Sequence, residues 1–246
     1  MSVSLRCYST SLGCPKNRVD TERLLGSLGV ALVPVESPDE AELVFINTCA
    51  FIQPATEESV RTIAQAIADI EELPKRPLLA VAGCLVGRYH AEDLAPELPE
   101  VDLWLDNSDL EAWPAMLARK LGLPEPTVPG RILSTGPSYA WLKISDGCRH
   151  ACSFCAIPNI RGGHRSHCKD MIVREARALL DQGVKELNLV AQDLTEWGCD
   201  LDGKQDLRTL LDGLLPLPGL ERLRLMYLYP AGMTHEMLKY LREAGK

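Results

Sequence analysis

The stretch "AELVFINTCAFIQPATEESVRTIAQAIADIEEL", residues 41–73, contains a complete strand–loop–helix unit. Its first eight residues form a short apolar run with Val, Phe and Ile, which is typical of a buried strand. Pro54 stands where a helix would begin, and apolar residues then recur at helical spacing, so a helix is predicted after it. Cys49 lies between the two elements. The stretch therefore predicts one strand–helix repeat with a cysteine at the carboxyl end of its strand.

The same alternation continues along residues 1–122. Strands are predicted at 4–13, 41–48, 77–83 and 101–107, and helices at 18–29, 54–73, 91–98 and 110–122. Strands that alternate with helices indicate an open parallel sheet with helices on both faces. The predicted fold class is therefore α/β, with a flavodoxin-like or Rossmann-like N-terminal domain at residues 1–122.

A linker is predicted at residues 123–138, which hold four prolines and two glycines without any periodicity. A second domain, residues 139–246, resumes the rhythm with strands at 140–145, 184–191 and 220–229, and helices at 171–183, 207–215 and 234–245. These are three strand–helix units, whereas a closed eight-unit barrel takes roughly 250 residues. We therefore expect an incomplete barrel, in a fragment or a truncated chain, rather than a finished three-stranded layer.

Three cysteines follow three predicted strands of the first domain. Cys14, Cys49 and Cys84 are separated by 35 residues each, one strand–helix repeat. Because the carboxyl ends of parallel strands meet at one edge of a sheet, these cysteines are expected to converge. A helix after each cysteine would favour the thiolate. The spacing thus predicts a ligand-binding edge, and the alternative is three inert buried cysteines.

A second triplet, Cys148, Cys152 and Cys155, follows the predicted strand 140–145. Three thiolates can hold a four-iron–four-sulfur cluster and leave one iron open. Zinc is the alternative, but a closed zinc site needs a fourth ligand. Three nearby histidines could supply that ligand: His150, His164 and His167. Neither Cys7 nor Cys199 has a partner at a recognisable spacing.

Composition and charge limit the classes of function. The net charge is −8, and residues 1–138 carry 11 basic against 20 acidic residues. An acidic half does not favour binding along a phosphate backbone, so no direct DNA binding is expected. No apolar run is long enough to span a membrane, and the N-terminus lacks a secretory pattern. We expect a cytoplasmic protein whose nine cysteines serve metal binding or catalysis rather than disulfides.

Several motifs together carry a family resemblance. "CRHACSFC" at 148–155 matches a CxxxCxxC signature, and it accompanies "SLGCPKNRVDTE" at 11–22, "NTCAF" at 47–51 and "AGCLVGRY" at 82–89. The chain resembles the radical S-adenosylmethionine methylthiotransferases over its whole length. Within that family, "SLGCPKN", "LVAQD" and "G.D" resemble the branch that modifies a ribosomal protein more than the branch that modifies tRNA.

The resemblance implies two 4Fe–4S clusters and S-adenosylmethionine. An auxiliary cluster would be held by Cys14, Cys49 and Cys84, and the radical cluster by Cys148, Cys152 and Cys155. S-adenosylmethionine would act both as the source of a 5′-deoxyadenosyl radical and as the methyl donor. The implied substrate is the β-carbon of an aspartate in ribosomal protein S-twelve, and the implied electron donor is a flavodoxin or ferredoxin.

Other residues are candidates for contacts with the cofactor. Phe154 stands at the aromatic position of the signature, while Gln192 and Asp193 come just after a predicted strand, where active-site loops gather. Arg161 precedes two glycines and could reach a carboxylate or the adenosine part of the cofactor. These assignments apply to cofactor binding, and no catalytic residue is assigned beyond the cluster ligands.

Two alternatives to the leading function stay open. They are a tRNA adenosine methylthiotransferase and a non-catalytic zinc or iron–sulfur scaffold. One departure from the family pattern is that "HRSHCKD" places His167 and Cys168 where the family usually reads Arg-Pro. Asn17 and Asp20 lie near the start of the first predicted helix and are expected to cap it.

Overall fold

The computed structural model describes residues 4–245. The chain divides into two compact units. The first unit runs to Ile132 and also includes Asn159–Arg161, whereas the second comprises Leu133–Pro158 and the residues from Gly162 onward. The boundary at Ile132 lies inside the predicted linker, but the three residues 159–161 group with the first unit. Among the described residues, no helix is both long and apolar enough to cross a membrane.

The first unit is built on a five-stranded parallel sheet. Its strands are β1 (Ser4–Ser11), β2 (Ala31–Pro34), β3 (Leu43–Thr48), β4 (Leu78–Gly83) and β5 (Leu103–Leu105). Their spatial order is β2-β1-β3-β4-β5. This is the flavodoxin-like order, in which the direction of winding reverses between β1 and β3 and ligands bind beyond the carboxyl ends of the strands. The α/β prediction with a parallel sheet is confirmed.

Five helices flank this sheet. They are α1 (Pro15–Ser27), α2 (Gln53–Ile70), α3 (Cys84–Tyr89), α4 (Ala91–Leu94) and α5 (Trp113–Leu121). Prolines occupy the first turns of α1, α2 and α5, where the missing N–H costs nothing. Gly122, with φ of 68°, ends α5 in the left-handed conformation that glycine adopts most easily.

One layer of the core of the first unit lies between the sheet and helices α1 and α5. β3 is buried along its whole length, which explains its nearly uninterrupted apolar sequence. Leu24 of α1 and Leu117 of α5 pack in one apolar cluster with Phe45 of β3. These contacts fix the strands whose carboxyl ends carry the cysteines.

The sequence-based prediction differs from the structure at two elements of the first unit. β2 is not predicted, although its residues are apolar, because the strand has only four residues and ends in Pro34, which cannot donate a hydrogen bond to a neighbouring strand. The short helix α3 is also not predicted, and Cys84 is its first residue. The first helix begins three residues earlier than predicted, so that Asn17 lies within it.

The second unit contains a three-stranded parallel sheet in the order β10-β9-β6 and a small antiparallel pair, β7 with β8. The strands are β6 (Tyr139–Lys143), β7 (Ser145–Asp146), β8 (Arg165–Ser166), β9 (Glu186–Val190) and β10 (Arg222–Leu225). Its helices are α7 (Lys169–Asp181), α8 (Leu207–Leu214) and α9 (His235–Glu243). The short helix α6 (Ile157–Arg161) begins in the second unit, but its last three residues group with the first. The three predicted strand–helix repeats are β6–α7, β9–α8 and β10–α9. Their core is a separate apolar cluster around Leu142, Ile172, Leu189 and Leu211.

Candidate functional site

The first cysteine triplet lies at the carboxyl edge of three adjacent strands. Cys14 is the N-cap residue of α1 after β1, Cys49 follows β3, and Cys84 opens α3 after β4. Cys14 and Cys84 both act electrostatically on the Cys49 thiol, so the three thiols are neighbours. The structure thus brings together residues that are 35 apart in sequence. Only Cys14 and Cys84 adjoin a helix start, because three residues separate Cys49 from the first residue of α2, Gln53.

The Cys49 thiol is held in its protonated form by its surroundings. Burial raises its pKa, and the neighbouring Cys84 and Cys14 raise it further, while a backbone hydrogen bond at Phe51 and the charge of Arg161 act in the opposite direction. A thiol that coordinates a metal ion loses its proton. A metal centre shared by these neighbouring thiols would therefore stabilise them as thiolates. The three thiols thus suit coordination to a shared metal centre.

Two glycines allow the loops of this site to approach each other. Gly13 has φ of +81°, and a Cβ at this position would lie 2.6 Å from Cys49 Cβ and 2.7 Å from its sulfur. Gly83 has φ of +98°, and a Cβ there would lie 2.6 Å from the Thr48 carbonyl oxygen. Any larger residue would displace the loop after β3. Only glycine can therefore occupy these two positions while Cys14 and Cys84, the residues next to them, keep their places.

Asn17 connects the loops after β1 and β3. Its side chain is completely buried, and its Nδ2 donates to the carbonyl oxygens of Leu12 at 3.0 Å and Thr48 at 2.7 Å. Its Oδ1 lies 3.7 Å from the Cys84 sulfur. The expectation that Asn17 caps the helix is wrong, because Cys14 occupies the N-cap and α1 has no side-chain cap. The signal that sequence reasoning missed is an amide three residues after a cysteine.

Arg161 is buried within the first unit. Its Nη2 donates to Asn17 Oδ1 at 2.5 Å and to Asp20 Oδ2 at 3.1 Å. Its charge also lowers the pKa of Cys49. Asp20, expected to cap α1, instead accepts from this guanidinium. The carboxylate that Arg161 contacts belongs to the protein itself. A contact of Arg161 with the cofactor stays a prediction.

The second triplet belongs to the second unit. The backbone N–H of Cys148 donates to the Gly162 carbonyl oxygen at 3.2 Å, and that of Cys155 donates to Cys152 at 3.0 Å. Burial raises the pKa of Cys148, a backbone hydrogen bond from His150 opposes this, and Cys155 and Cys152 raise it further. Their mutual influence means that these three thiols are also neighbours.

Neither triplet has the spacing of a single-ion site. Among residues 4–245, the groups of three ligand atoms that fall within 4.8 Å of one another include neither set of cysteines. The histidines proposed as a fourth zinc ligand have other partners: His150 is near Asp193 and Glu196, His164 near Cys199 and Asp200, and His167 near Asp146. The described residues thus contain no preformed Cys3His zinc site.

Asp193 is the best-connected of the predicted cofactor residues. Its buried carboxylate lies 2.8 Å from His150 Nε2 and accepts from Thr195 N at 2.8 Å and from Thr195 Oγ1 at 2.7 Å. The ring of His150 also packs on Tyr229, with centroids 4.6 Å apart. Burial alone would raise the pKa of Asp193, but the hydrogen bonds outweigh it and the pKa is lowered. An ionised Asp193 thus anchors His150, which lies inside the CxxxCxxC loop.

Comparison with known proteins assigns the two parts of the chain to two different families. Residues 6–106 match the family described as "Uncharacterized protein family UPF0004", and residues 142–246 match the radical SAM superfamily. The chain is 68% identical over 238 residues to the ribosomal protein uS12 methylthiotransferase RimO of Nitratidesulfovibrio vulgaris strain DP4, covering 97% of this chain and 55% of that protein. The chain belongs to the radical S-adenosylmethionine methylthiotransferase family. The predicted resemblance is confirmed.

Other relatives carry the same name. The RimO proteins of Oleidesulfovibrio alaskensis and Lawsonia intracellularis are 64% and 58% identical over 97% and 100% of this chain, and over 56% of each of those proteins. The chain spans about half the length of the curated relatives that it matches.

Solved structures support the fold. The radical S-adenosylmethionine methyltransferase TsrM of Kitasatospora setae, solved with cobalamin and a [4Fe-4S] cluster bound, superposes with a TM-score of 0.65 at 14% identity, covering 100% of this chain and 57% of that one. The cobalamin-dependent radical enzyme OxsB gives a TM-score of 0.53 at 14% identity, covering 97% and 41%. At this identity the likeness concerns the fold alone.

The remaining candidate residues of this family member differ in exposure. Phe154 is 87% exposed, and Gln192 is half-buried. His167, which departs from the family pattern, lies 3.3 Å from Asp146 through Nε2 and 3.1 Å from the Lys143 carbonyl oxygen through Nδ1. Lys143 is itself buried and pairs with Asp146 at 2.9 Å. The histidine therefore joins a buried ion pair directly before the Cys148 loop.

Proposed function

We propose that this chain forms the two cofactor centres of a radical S-adenosylmethionine methylthiotransferase that modifies an aspartate of ribosomal protein uS12. The observation that carries the proposal is the pairing of two cysteine triplets, each with neighbouring thiols, in a chain whose curated relatives are named uS12 methylthiotransferases. The names of these relatives favour uS12 over tRNA as the substrate class.

Cys14, Cys49 and Cys84 are proposed to hold an auxiliary 4Fe–4S cluster. Two observations support this assignment. The three thiols lie at the carboxyl edge of adjacent strands. Gly13, which has no Cβ, leaves room for the sulfur of Cys49. Three thiolates leave one iron of such a cluster free to bind another sulfur. The protein contributes rigidity here, because Asn17 and Arg161 tie the loops around these thiols together.

Cys148, Cys152 and Cys155 are proposed to hold the radical cluster, to which S-adenosylmethionine binds. When bound, the cluster and cofactor together supply the radical chemistry that activates an unreactive carbon. The chain's own task is to orient the loop that carries the three cysteines. Asp193 does so by holding His150, and Gly147, with φ of +66°, lets the loop pass close to the Gly162 carbonyl oxygen.

Phe154, Gln192 and Asp193 are proposed to contact S-adenosylmethionine or the substrate. Phe154 offers an exposed aromatic face next to Cys155. Gln192 and Asp193 directly follow Ala191 at the carboxyl end of β9, the end at which barrel enzymes bind their substrates. The reductant is proposed to be a flavodoxin or ferredoxin, and the site of action the cytoplasm, where uS12 is made.

The proposal is tested first by counting iron. Anaerobically prepared protein is expected to contain about eight irons per chain, which corresponds to two clusters. Replacing Cys14, Cys49 and Cys84 by alanine should leave about four, and so should replacing the second triplet. A colourless protein with zinc in place of iron would favour the scaffold alternative.

The substrate is tested in cells. Mass spectrometry of uS12 from a strain that lacks the full-length gene should show the aspartate without its methylthio group, and the intact gene should restore the group. A gene with Cys148 changed to alanine is the matched control and should fail to restore it. If uS12 is modified normally without the gene while a tRNA loses a methylthio group, the substrate class is tRNA.

A further inference from the structure

A second group of possible metal ligands lies in the second unit, outside the two cysteine triplets. His164, Cys199 and Asp200 each offer one ligand atom, and these three atoms lie within 4.8 Å of one another. His164 comes just before β8, whereas Cys199 and Asp200 belong to the loop after β9. None of the three is needed for the function proposed above. The sequence alone does not pair Cys199 with His164, because the two residues lie 35 positions apart in different loops.

The distances suit one small ion. His164 Nε2 lies 3.5 Å from Asp200 Oδ1. A tetrahedral zinc ion with bonds of about 2.0–2.3 Å holds its ligand atoms roughly 3.3–3.7 Å apart. The nitrogen and the oxygen are therefore already at the spacing that zinc requires. The sulfur of Cys199 lies within 4.8 Å of both, so a change of side-chain rotamer brings it into range.

Backbone contacts hold the two segments together before any ion binds. The Ser166 N–H donates to Asp200 Oδ2 at 2.8 Å, which leaves Oδ1 facing the histidine. The Gly198 N–H donates to Ser166 Oγ at 2.9 Å. Gly198 has φ of +90°, and a Cβ there would lie 2.7 Å from the Gln205 carbonyl oxygen, so the loop has one closely defined path. The histidine and the carboxylate are thus held near each other in advance, and a zinc ion would replace the present contact of His164 Nε2 with Ser166 Oγ, 3.0 Å away.

Charge and exposure also fit a cation that enters from solvent. The His164 ring is nearly buried, with 4% of its side chain exposed, while 32% of the Asp200 side chain is exposed. One imidazole, one thiolate and one carboxylate form a donor set that zinc accepts.

We propose that His164, Cys199 and Asp200 bind one Zn²⁺ ion, with water as the fourth ligand. On binding, the Cys199 thiol releases one proton to solvent and its sulfur forms the zinc–sulfur bond. The ion takes no part in oxidation or reduction. It joins the loop after β9 to the segment that enters β8, and its role is to stabilise that junction.

The test compares zinc content between variants of the holoprotein with its iron centres in place. Zinc and iron are measured together by inductively coupled plasma mass spectrometry after dialysis against a weak chelator. The unmodified chain should retain one zinc more than Cys199→Ser, His164→Gln or Asp200→Asn. Cys168→Ser, which removes another exposed cysteine outside the group, should retain the zinc. X-ray absorption at the zinc edge should show one sulfur neighbour, lost in Cys199→Ser.

Affinity provides a second measurement. In competition with a chromophoric chelator, each ligand variant should bind zinc at least ~100-fold more weakly, because changes in outer-shell groups alone cost about 10- to 100-fold. Equal zinc in the unmodified chain and in Cys199→Ser would overturn the proposal. So would a zinc-edge spectrum without sulfur. Because the comparison is between variants of one group, its outcome does not depend on whether the two triplets hold iron.

Discussion

At the scale of single residues, Asn17 shows how one buried amide can organise a metal-binding edge. Its two N–H groups are used by the carbonyl oxygens of Leu12 and Thr48, and its oxygen faces Arg161 and the Cys84 sulfur. A carboxylate could not donate these hydrogen bonds, and an alanine could neither donate nor accept them. The position thus requires an amide.

Replacing Asn17 by alanine should lower the free energy of unfolding by about 1–3 kcal/mol, because two buried carbonyl oxygens lose their donor. The iron bound by the first triplet should fall with it, as measured by iron analysis alongside thermal unfolding. Asn17→Asp is the informative control, since it keeps the acceptor for Arg161 but removes the donors, and it should behave like the alanine variant. Full iron content and unchanged stability in both variants would contradict this account.

Asp193 makes stability depend on pH. Its pKa is lowered in the folded protein, so its ionised form stabilises the fold above its ordinary pKa of about 3.9, and this contribution is lost as pH falls through the lowered value. Asp193→Asn should therefore lower the urea midpoint of the cluster-free second unit more at pH 7 than at pH 3. Pulse-labelling hydrogen exchange at each urea concentration measures that midpoint. An equal difference at both pH values would show that charge is not the cause.

The sequence predicts site residues that form a local or repeating pattern, but not contacts between residues that are far apart in the chain. The two cysteine triplets follow from local patterns, a strand repeat of 35 residues and a CxxxCxxC loop. The contact of Arg161 with Asn17 spans 144 residues, and neither segment alone indicates it. His150 was considered only as a zinc ligand, because nothing near it in the sequence indicates Asp193, 43 residues away.

At the scale of elements, the turn between β1 and α1 sets the position of the first triplet. Gly13 and Gly29 both have positive φ, but only Gly13 has neighbours within 4 Å of its missing Cβ. Comparing alanine substitutions at these two glycines separates the effect of backbone strain from the effect of a steric collision. The strain of a left-handed alanine is shared by both, whereas the collision with Cys49 is not.

Gly29→Ala should cost only about 1–2 kcal/mol of stability, the strain of an L-residue in the left-handed region, and should keep all the iron. Gly13→Ala should cost more and should lose the iron of the first triplet, because its new methyl group meets the Cys49 side chain. Iron analysis and thermal unfolding of the two variants decide the matter. The explanation fails if the two variants lose the same amount of iron.

Element boundaries show where pattern reading is weak. The buried strands β3 and β4 were predicted because uninterrupted apolar runs indicate strands covered on both faces. β2 was missed because it is an edge strand of only four residues that ends in Pro34, and a proline argues against a strand. The start of α1 was placed late because its first turn is polar, although Pro15 marks it.

At the scale of the whole molecule, each unit has its own apolar core. Leu117 belongs to the core of the first unit and Leu211 to that of the second. Each is essentially inaccessible to solvent, with 0% and 1% exposure. The two positions therefore allow one unit to be weakened at a time.

Leu117→Ala should destabilise the first unit by about 2–5 kcal/mol, the usual cost of a cavity in a core, while amide protection in β9 stays unchanged. Leu211→Ala should do the reverse, lowering the protection of β9 and leaving that of β3 intact. Hydrogen exchange with mass spectrometry reads both. Loss of protection in both units from either single change would show that the chain unfolds as one cooperative body.

The grouping of Asn159–Arg161 with the first unit has a practical consequence for dissecting this protein. A gene cut in the proline-rich stretch 123–138 follows the boundary that the sequence suggests. The piece expressed from it would nevertheless lack the guanidinium that contacts Asn17 and Asp20. Protease nicking in that stretch, by contrast, leaves this contact available to the nicked protein. Cleaving the folded chain in this stretch should therefore preserve the contacts of Arg161, whereas expressing the two halves separately should lose them.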